Sequence, residues 1–405
     1  MVLSGCIKTD DIIDNSKPWR TYFLYVAGDN NLTSNFNGNI IELSRKANEA
    51  RRKGGRIIVY YSPTPYKGNP YNANDTKSGN PVLFEVLGNS SEYGTAGVMT
   101  RMLKEYDYSA DPERKSIDPE AISLAINDMM RMAPAESYII DFSSHGFGWT
   151  PAAKNVPVER AFGGEYGGGS YMEYGIDIDV LASIIPDSPA IDAILFDACE
   201  MGCVEVAYEL RNKTKYLMAS VAEIPAAGFP YAAVNDELFN RNAEIKDCLV
   251  AFASKYIDKY ENDPYGGTIA IYDCSMLPAL KDAAKEVVAK RRDILMGLDL
   301  STPVKSAPAQ FYYDQSLSGY RAMFHDMRDL VRAVTNGDIA VYNRFVTEID
   351  KMVVYKNAVG PLYAKNFTFS AIRYSGVTMF VPQDAYPDSW VSYYKTLSWY
   401  KDVWE

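Results

Sequence analysis

From Trp19 onward, short apolar runs alternate with longer stretches in which apolar residues return every three or four positions. The short runs have the length and the β-branched and aromatic content of strands, and the longer ones have the period of helices. They predict a strand over 21–27, a helix from Asn31 to about Arg52, a strand over 56–62 and, past a turn-rich segment, a strand over 81–87. Helical spacers between strands imply parallel connections, so the pattern points to an α/β fold. Asp118-Pro119-Glu120 reads as a helix start, an N-cap acid followed by proline in the first turn, after which Ile122, Ala125, Ile126, Met129 and Ala133 share one face.

That helix delivers the chain to Ser137-Tyr-Ile-Ile-Asp-Phe-Ser-Ser-His145-Gly146, an apolar run that ends in His-Gly. A second run of the same design, Ile191-Asp-Ala-Ile-Leu-Phe-Asp197, ends in Ala-Cys199 and passes into a helical pattern to about Leu210. Cys203, Val206, Ala207 and Leu210 have core-facing spacing there, which makes Cys203 a packing residue. A strand over 216–221 follows, then helices over 247–260 and 278–291 around a strand at Thr268–Tyr272. Past Ser301 the pattern loosens into a helix over about 321–335 that contains His325, another over about 338–355, and a strand at Gly376–Pro382. The Gly-rich stretch Phe147–Tyr174 holds Lys154 and Arg160; its irregular composition reads as an exposed loop, the natural place for a proteolytic nick. Residues 1–16 form a tether, 17–290 a core, and 291–405 a smaller subdomain packed on it, with no internal repeats.

Candidate chemistry gathers at the ends of two strands. Open α/β sheets build sites at the carboxyl ends of parallel strands, so adjacent strands would set His145 beside Cys199, 54 residues apart in sequence. A cysteine at a strand-to-helix turn meets the positive end of the helix dipole, which favours its nucleophilic thiolate. Two blander readings compete. Free cysteine is among the most buried residue types, so Cys199 could be packing. Cys199, Cys203 and His145 could also hold a metal, although no fourth ligand suggests itself.

Composition narrows the classes. Nearly half of the 405 residues are apolar, which suits a large buried core, and 41 basic against 52 acidic side chains leave a net charge of −11. That balance argues against nucleic acid as a partner. The five cysteines are an odd number, with no disulfide framework in their spacing. No run is long enough to span a bilayer.

At Asp197-Ala-Cys-Glu-Met-Gly-Cys-Val-Glu-Val-Ala-Tyr208 a specific resemblance appears: the segment is similar to the Asp-Ala-Cys-x-Met-Gly-x-x-Glu-x-Ala-Tyr stretch of clostripain-like cysteine peptidases, relatives of caspases and gingipains. Trp19-Arg-Thr-Tyr-Phe-Leu-Tyr-Val-Ala-Gly-Asp-Asn-Asn-Leu32 resembles that family's opening strand and Asp-Asn turn, and Ser220–Tyr231 its loop after the catalytic residue. The resemblance implies a caspase-like α/β/α sandwich with a mostly parallel central sheet plus a smaller C-terminal subdomain. It implies a Cys199–His145 dyad with no obligatory third member. The N–H groups of Gly146 and Cys199 are the candidates for holding the oxyanion, since glycine admits a close substrate and an N–H at a helix start is unpaired.

Members with an acid at the position of Asp197 resemble enzymes that cleave after Arg and sometimes Lys; a carboxylate two residues before the nucleophile shares its face and suits a guanidinium. Glu223 is a second candidate pocket acid. The loop Pro225-Ala-Ala-Gly-Phe-Pro departs from the family's Pro-Gly-x-Gly-Trp-Pro, and the extra acid some members carry near Ala227 is missing. Related enzymes resemble zymogens that cut themselves after the catalytic histidine, here at Arg160 with Lys154 second. His325, where the family tends to have an Asp-Leu pair, is read as structural. Leu3-Ser-Gly-Cys6 resembles a lipobox, with Cys6 as the lipidated residue of a surface-held or secreted protein. Expected partners are protein or peptide substrates with Arg or Lys before the cut, with a membrane only through the lipid and the chain a monomer. No cofactor is required for the chemistry, calcium being the one candidate ion. The rival classes are a catalytically silent binding protein on the same scaffold and a relative with Asn or Asp specificity.

Overall fold

The structure, a computed structural model, describes residues 18–405 except 65–78, 91–96, 109–110, 112–113, 152–160, 167–171, 304–306, 313–321, 336, 361 and 363–368. In chain order its first half runs β1 (Arg20–Gly28), α1 (Thr33–Ser44), α2 (Ala47–Arg52), β2 (Gly55–Pro63), β3 (Val82–Asn89), β4 (Val98–Glu105), α3 (Pro119–Met132), β5 (Ser137–Ser143), β6 (Phe162–Tyr166), β7 (Met172–Ile176) and α4 (Ile178–Ile184). The rest runs β8 (Ile191–Asp197), α5 (Val204–Leu210), β9 (Tyr216–Ala219), α6 (Ile245–Tyr260), β10 (Gly267–Asp273), α7 (Leu277–Gly297), β11 (Phe311–Tyr312), β12 (Phe324–Asp326), α8 (Met327–Val334), α9 (Ile339–Met352), β13 (Val353–Val359), β14 (Thr378–Met379), α10 (Asp388–Tyr394) and α11 (Ser398–Val403).

Nine strands form one sheet in the order β13-β10-β9-β8-β5-β1-β2-β3-β4. Its centre, β9-β8-β5-β1-β2, is parallel, and antiparallel partners close both sides. Strands covered on both faces are buried along their whole length and mostly apolar, which is why β1, β5 and β8 read as near-continuous runs, with buried polar residues such as Asp141 and Asp197 among them. Along β1 the side chains alternate between two cores. Phe23, Tyr25 and Ala27 join α3, α4, α5, α7 and α9, whereas Tyr22, Leu24 and Val26 join α1, α2 and α6. The result is the expected α/β/α sandwich.

Several details differ from the sequence reading. The first helix starts at Thr33 and breaks into α1 and α2 at Arg45–Lys46. β3 and β4 add an antiparallel hairpin to the parallel centre. The stretch read as an exposed loop contains the β6–β7 hairpin, and its Trp149 and Phe162 are fully buried; Trp149 packs on Phe380 and Tyr394. His325 lies on strand β12, between β11 and β14, not on a helix. Its buried Nε2 is 3.0 Å from the Leu300 carbonyl, a packing role. The segment 291–405 is joined to the core through the sheet itself, because β13 is its edge strand beside β10.

The largest difference concerns the start of α5. That helix begins at Val204, with Cys203 as its N-cap residue, so Cys199 stands on a turn five residues earlier. The backbone after Cys199 is occupied differently: Glu200 N–H donates to the Ala222 carbonyl and Gly202 N–H to the Ser220 carbonyl, at 3.1 and 2.7 Å. Glu200 takes a left-handed φ of 53°. A Cβ on Gly202 would lie 2.7 Å from backbone atoms of Ser220 and Val221, so only glycine permits this approach. The dipole argument for a Cys199 thiolate is therefore corrected.

Candidate active site

β5 and β8 lie side by side in parallel, with Ser143 paired to Asp197. Two residues beyond that pair on each strand, the chain leaves the sheet at His145 and at Cys199. Strand alternation carries Asp141, Ser143 and His145 on one line and Asp197 and Cys199 on the next, all toward the face of α1 and α6. There His145, Cys199, Asp197, Glu223, Gly146 and Gly228 line one cavity of about 250 Å³, walled on the other side by Leu32, Phe36 and Asn39. The sequence thus foresaw residues that meet at one site. Lys154, Arg160 and Cys6 fall outside the described residues.

Cys199 is half-buried, and its Sγ accepts the backbone N–H of Ile224 at 3.3 Å. Burial pushes the thiol well above its usual range, and the acids Glu200, Glu223 and Asp197 push it further; only the Ile224 N–H opposes them. His145 is half-buried too, with its Nε2 2.8 Å from Asn31 Oδ1. Loss of water lowers the imidazole to about 4. Both shifts favour the uncharged forms, the thiol of Cys199 and the imidazole of His145.

Gly146 fits where no other residue would, since a Cβ there would sit 2.6 Å from the Cys199 carbonyl oxygen. Its neighbours are anchored: Phe147 N–H donates to the Ala161 carbonyl and Gly163 N–H to the His145 carbonyl. Among the described residues, the N–H groups of Gly146 and Cys199 have no acceptor, and both residues border the cavity.

Asp197 is buried beneath the cavity. Its Oδ2 accepts the Tyr231 hydroxyl at 2.7 Å and the Ser143 hydroxyl at 3.3 Å, and the Phe229 N–H also donates to the carboxylate. Among the described residues, Oδ1 has no hydrogen-bond partner. Leaving a buried acceptor unpaired costs about 1–3 kcal/mol, so the open oxygen is a feature to be explained by a ligand. Burial raises Asp197 above 3.8. Asp141, buried behind it and bonded to Tyr22 Oη at 2.5 Å, is raised much further by burial and by the Asp197 charge. Of the two acids, Asp141 is therefore held the more firmly in its protonated form. Gly228 closes over the carboxylate at φ 62°, and a Cβ there would come 2.3 Å from Oδ2. Lys259 fixes this loop by donating to the carbonyls of Ala227, Gly228 and Phe229 at 2.8, 3.2 and 3.0 Å.

Sequence reasoning missed Asn31, Asn39, Tyr231 and Lys259. Asn31 sits in an Asp-Asn-Asn turn at a strand end, a signal of side-chain acceptors that carried no role on its own. Tyr231 and Lys259 act across 34 and about 30 residues of chain and leave no local pattern.

The fold is similar to an inactive zymogen C11 protease from Parabacteroides distasonis, at TM-score 0.72 and 25% identity over 97% of this chain and 100% of that one. A secreted C11 cysteine protease from Bacteroides thetaiotaomicron, described as iotapain, matches at TM-score 0.71 and 26% identity over 96% and 99%. A secreted C11 cysteine protease of the same species, in complex with an irreversible peptide inhibitor, shares the fold at TM-score 0.73 and 24% identity over 95% and 99%. No curated protein matches the chain. The sequence model of the Clostripain family, Peptidase C11, matches residues 24–405 and so takes in the whole site from Asn31 to Lys259: the chain belongs to that family and is a cysteine peptidase.

Proposed function

We propose that the chain is an endopeptidase in which Cys199 is the nucleophile and His145 the proton carrier, cutting after Arg and secondarily after Lys. The observation that carries this reading is a single cavity lined by a thiol, an imidazole and a buried carboxylate with one open oxygen. With both partners neutral at rest, His145 takes the thiol proton as Sγ attacks the scissile carbonyl, then passes it to the leaving amine. The N–H groups of Gly146 and Cys199 support the oxyanion. A water then attacks the acyl-enzyme, its proton going to His145; the bond from carbon to Sγ breaks to release the acid, and His145 returns the proton to the Cys199 sulfur.

At the pocket floor, Asp197 Oδ1 accepts from the guanidinium of the residue before the cut. The Lys259 donors face backbone carbonyls and so leave that oxygen to the substrate. Glu223, half-buried at the rim, adds negative potential. The chemistry routes every proton through side chains and water, with no metal in a step. The lipobox-like segment Leu3-Ser-Gly-Cys6 supports an extracytoplasmic protein held by lipid on Cys6, and the reading takes it as a monomer that acts on peptides and proteins. Among the described residues, no helix is long and apolar enough to cross a membrane.

The test is turnover of a fluorogenic Arg peptide before and after prolonged treatment with iodoacetamide at high pH, where the Cys199 thiol reacts. Thiol-dependent cleavage, faster for Arg than for Lys, is expected; no thiol-sensitive turnover of any basic peptide sinks the reading.

The reading extends to self-processing in the segment after His145, as befits likeness to a protein described as an inactive zymogen. Arg160 and Lys154 are the cleavage sites proposed. Ala161, next to Arg160, is fully buried and its carbonyl holds Phe147 N–H, so a cut after Arg160 requires that end to come loose first. Wild-type protein is expected to run as two bands under denaturing conditions and Cys199→Ala as one. Sequencing the second fragment distinguishes a start at Ala161 from one at Asn155. A fully active wild type that stays in one band refutes self-processing.

A further inference from the structure

We propose that Asn31 is the positioning residue of His145, fixing its Nε2–H tautomer so that Nδ1 is the nitrogen that exchanges a proton with Cys199. The role rests on the peptidase reading above. An amide oxygen only accepts hydrogen bonds, so a ring nitrogen 2.8 Å from Asn31 Oδ1 carries the hydrogen. In a neutral imidazole the lone pair is then on Nδ1, and only that nitrogen can take the thiol proton. Among the described residues, Asn31 is the one hydrogen-bond partner of the ring. Without it the ring is free to rotate or change tautomer, and a part of the population presents N–H to the thiol.

Asn31 is itself held in place from the sheet. Asn30 folds the turn after β1: its N–H reaches the Gly28 carbonyl at 2.8 Å and its Oδ1 takes the Leu32 N–H at 2.9 Å. Thr33 Oγ1 donates toward the Gly28 and Asn30 carbonyls at 2.6 and 2.9 Å. The same turn is bound to the strand that delivers His145, through Asn30 Nδ2 to Ser144 Oγ at 3.4 Å and Ser144 Oγ to the Ala27 carbonyl at 2.8 Å. The ends of β1 and β5 therefore form one rigid unit that carries the acceptor and the imidazole together. This supplies the third group that the Cys-His motif alone did not name.

The test compares wild type, Asn31→Ala and Asn31→Asp in the full chain. With an Arg peptide, Asn31→Ala is expected to lower kcat about tenfold with KM within about twofold, since orientation of the base and not substrate binding is lost. Asn31→Asp keeps an acceptor and adds a charge beside Nε2. It should recover most of kcat and move the acid limb of the kcat profile up by about one pH unit, because a nearby anion favours the imidazolium. The other titratable groups lining the cavity, Asp197, Cys199, Glu200 and Glu223, are unchanged across the three proteins. An Asn31→Ala kcat within twofold of wild type, or an Asp variant with no shift of the limb, overturns the proposal.

A second measurement does not depend on turnover. The chain has two histidines, so nitrogen-15 histidine spectra contain two rings. His145, the one whose signals move in Asn31→Ala, is expected as the Nε2–H tautomer in wild type and as a mixture in the variant. An Nδ1–H tautomer in wild type refutes the Asn31 role even if peptides are cut, whereas a silent wild type with the expected tautomer counts against the peptidase reading alone.

Discussion

Replacing Cys199 with alanine is expected to take turnover to the floor of the assay, a loss of at least about 10⁴-fold, while Cys203→Ala keeps it within a few fold. Cys199 lines the cavity with His145, and its sulfur is the only one among the described cysteines that does so. Cys203 is fully buried at the N-cap of α5 beside Glu205, so its truncation removes packing and costs about 1 kcal/mol of stability, with no reacting atom lost. Because the Cys199 thiol is held neutral by burial and by three nearby acids, alkylation should be slow in the free protein and speed up at high pH. Equal loss of activity from both substitutions, with both proteins folded by circular dichroism, would refute the assignment.

The lines of the sheet were legible because β1, β5 and β8 are buried on both faces and are therefore mostly apolar. β4 was not: as an edge strand it mixes half-buried with exposed positions and carries Arg101 and Lys104, so no apolar run marks it. The β6–β7 hairpin was hidden by its glycines, and its Phe162 is buried against Phe142 and Phe196 of β5 and β8, a packing that no local pattern announces. His325 was assigned to a helix because Met327–Val334 directly follows it; three antiparallel residues claimed it instead.

The site shows the same division between local and distant causes. Cys199, His145 and Asp197 were legible as strand-end residues, since the rule for open sheets needs only the strands. The start of α5 was not, because spacing at Cys203, Val206, Ala207 and Leu210 fixes a helical face and leaves its first turn free. The backbone bonds of Glu200 and Gly202 to the stretch after β9 decide that turn, and they reverse the electrostatic expectation for the thiol. In the mechanism proposed above, Cys199 is activated by a neighbouring base and not by a helix end, and that base is His145, whose ring is bonded to Asn31, 114 residues away in the chain.

Asp197→Asn is the second substitution expected to have a large effect: it should weaken kcat/KM for Arg peptides about 30-fold or more. Removing one partner of a buried charge pair costs about 2–5 kcal/mol, most of it from the guanidinium left unpaired, and each 1.36 kcal/mol is tenfold. The Asn side chain keeps the shape and the contacts to Tyr231 and Ser143, so the fold should survive. The pH dependence carries a second signature. Burial raises the Asp197 pKa above 3.8, so as pH falls through that raised value the carboxylate takes a proton and the cationic substrate loses its partner. KM for Arg peptides should accordingly rise on the acid side in wild type, at a pH above the ordinary carboxylate range. In Asp197→Asn that rise should be gone, because no proton remains to be taken up. Asp141 does not substitute for it: it keeps its proton through this range and faces Tyr22. An Asn variant that retains both the Arg preference and the acid-side rise in KM would move the specificity acid from Asp197 to Glu223, at the cavity rim.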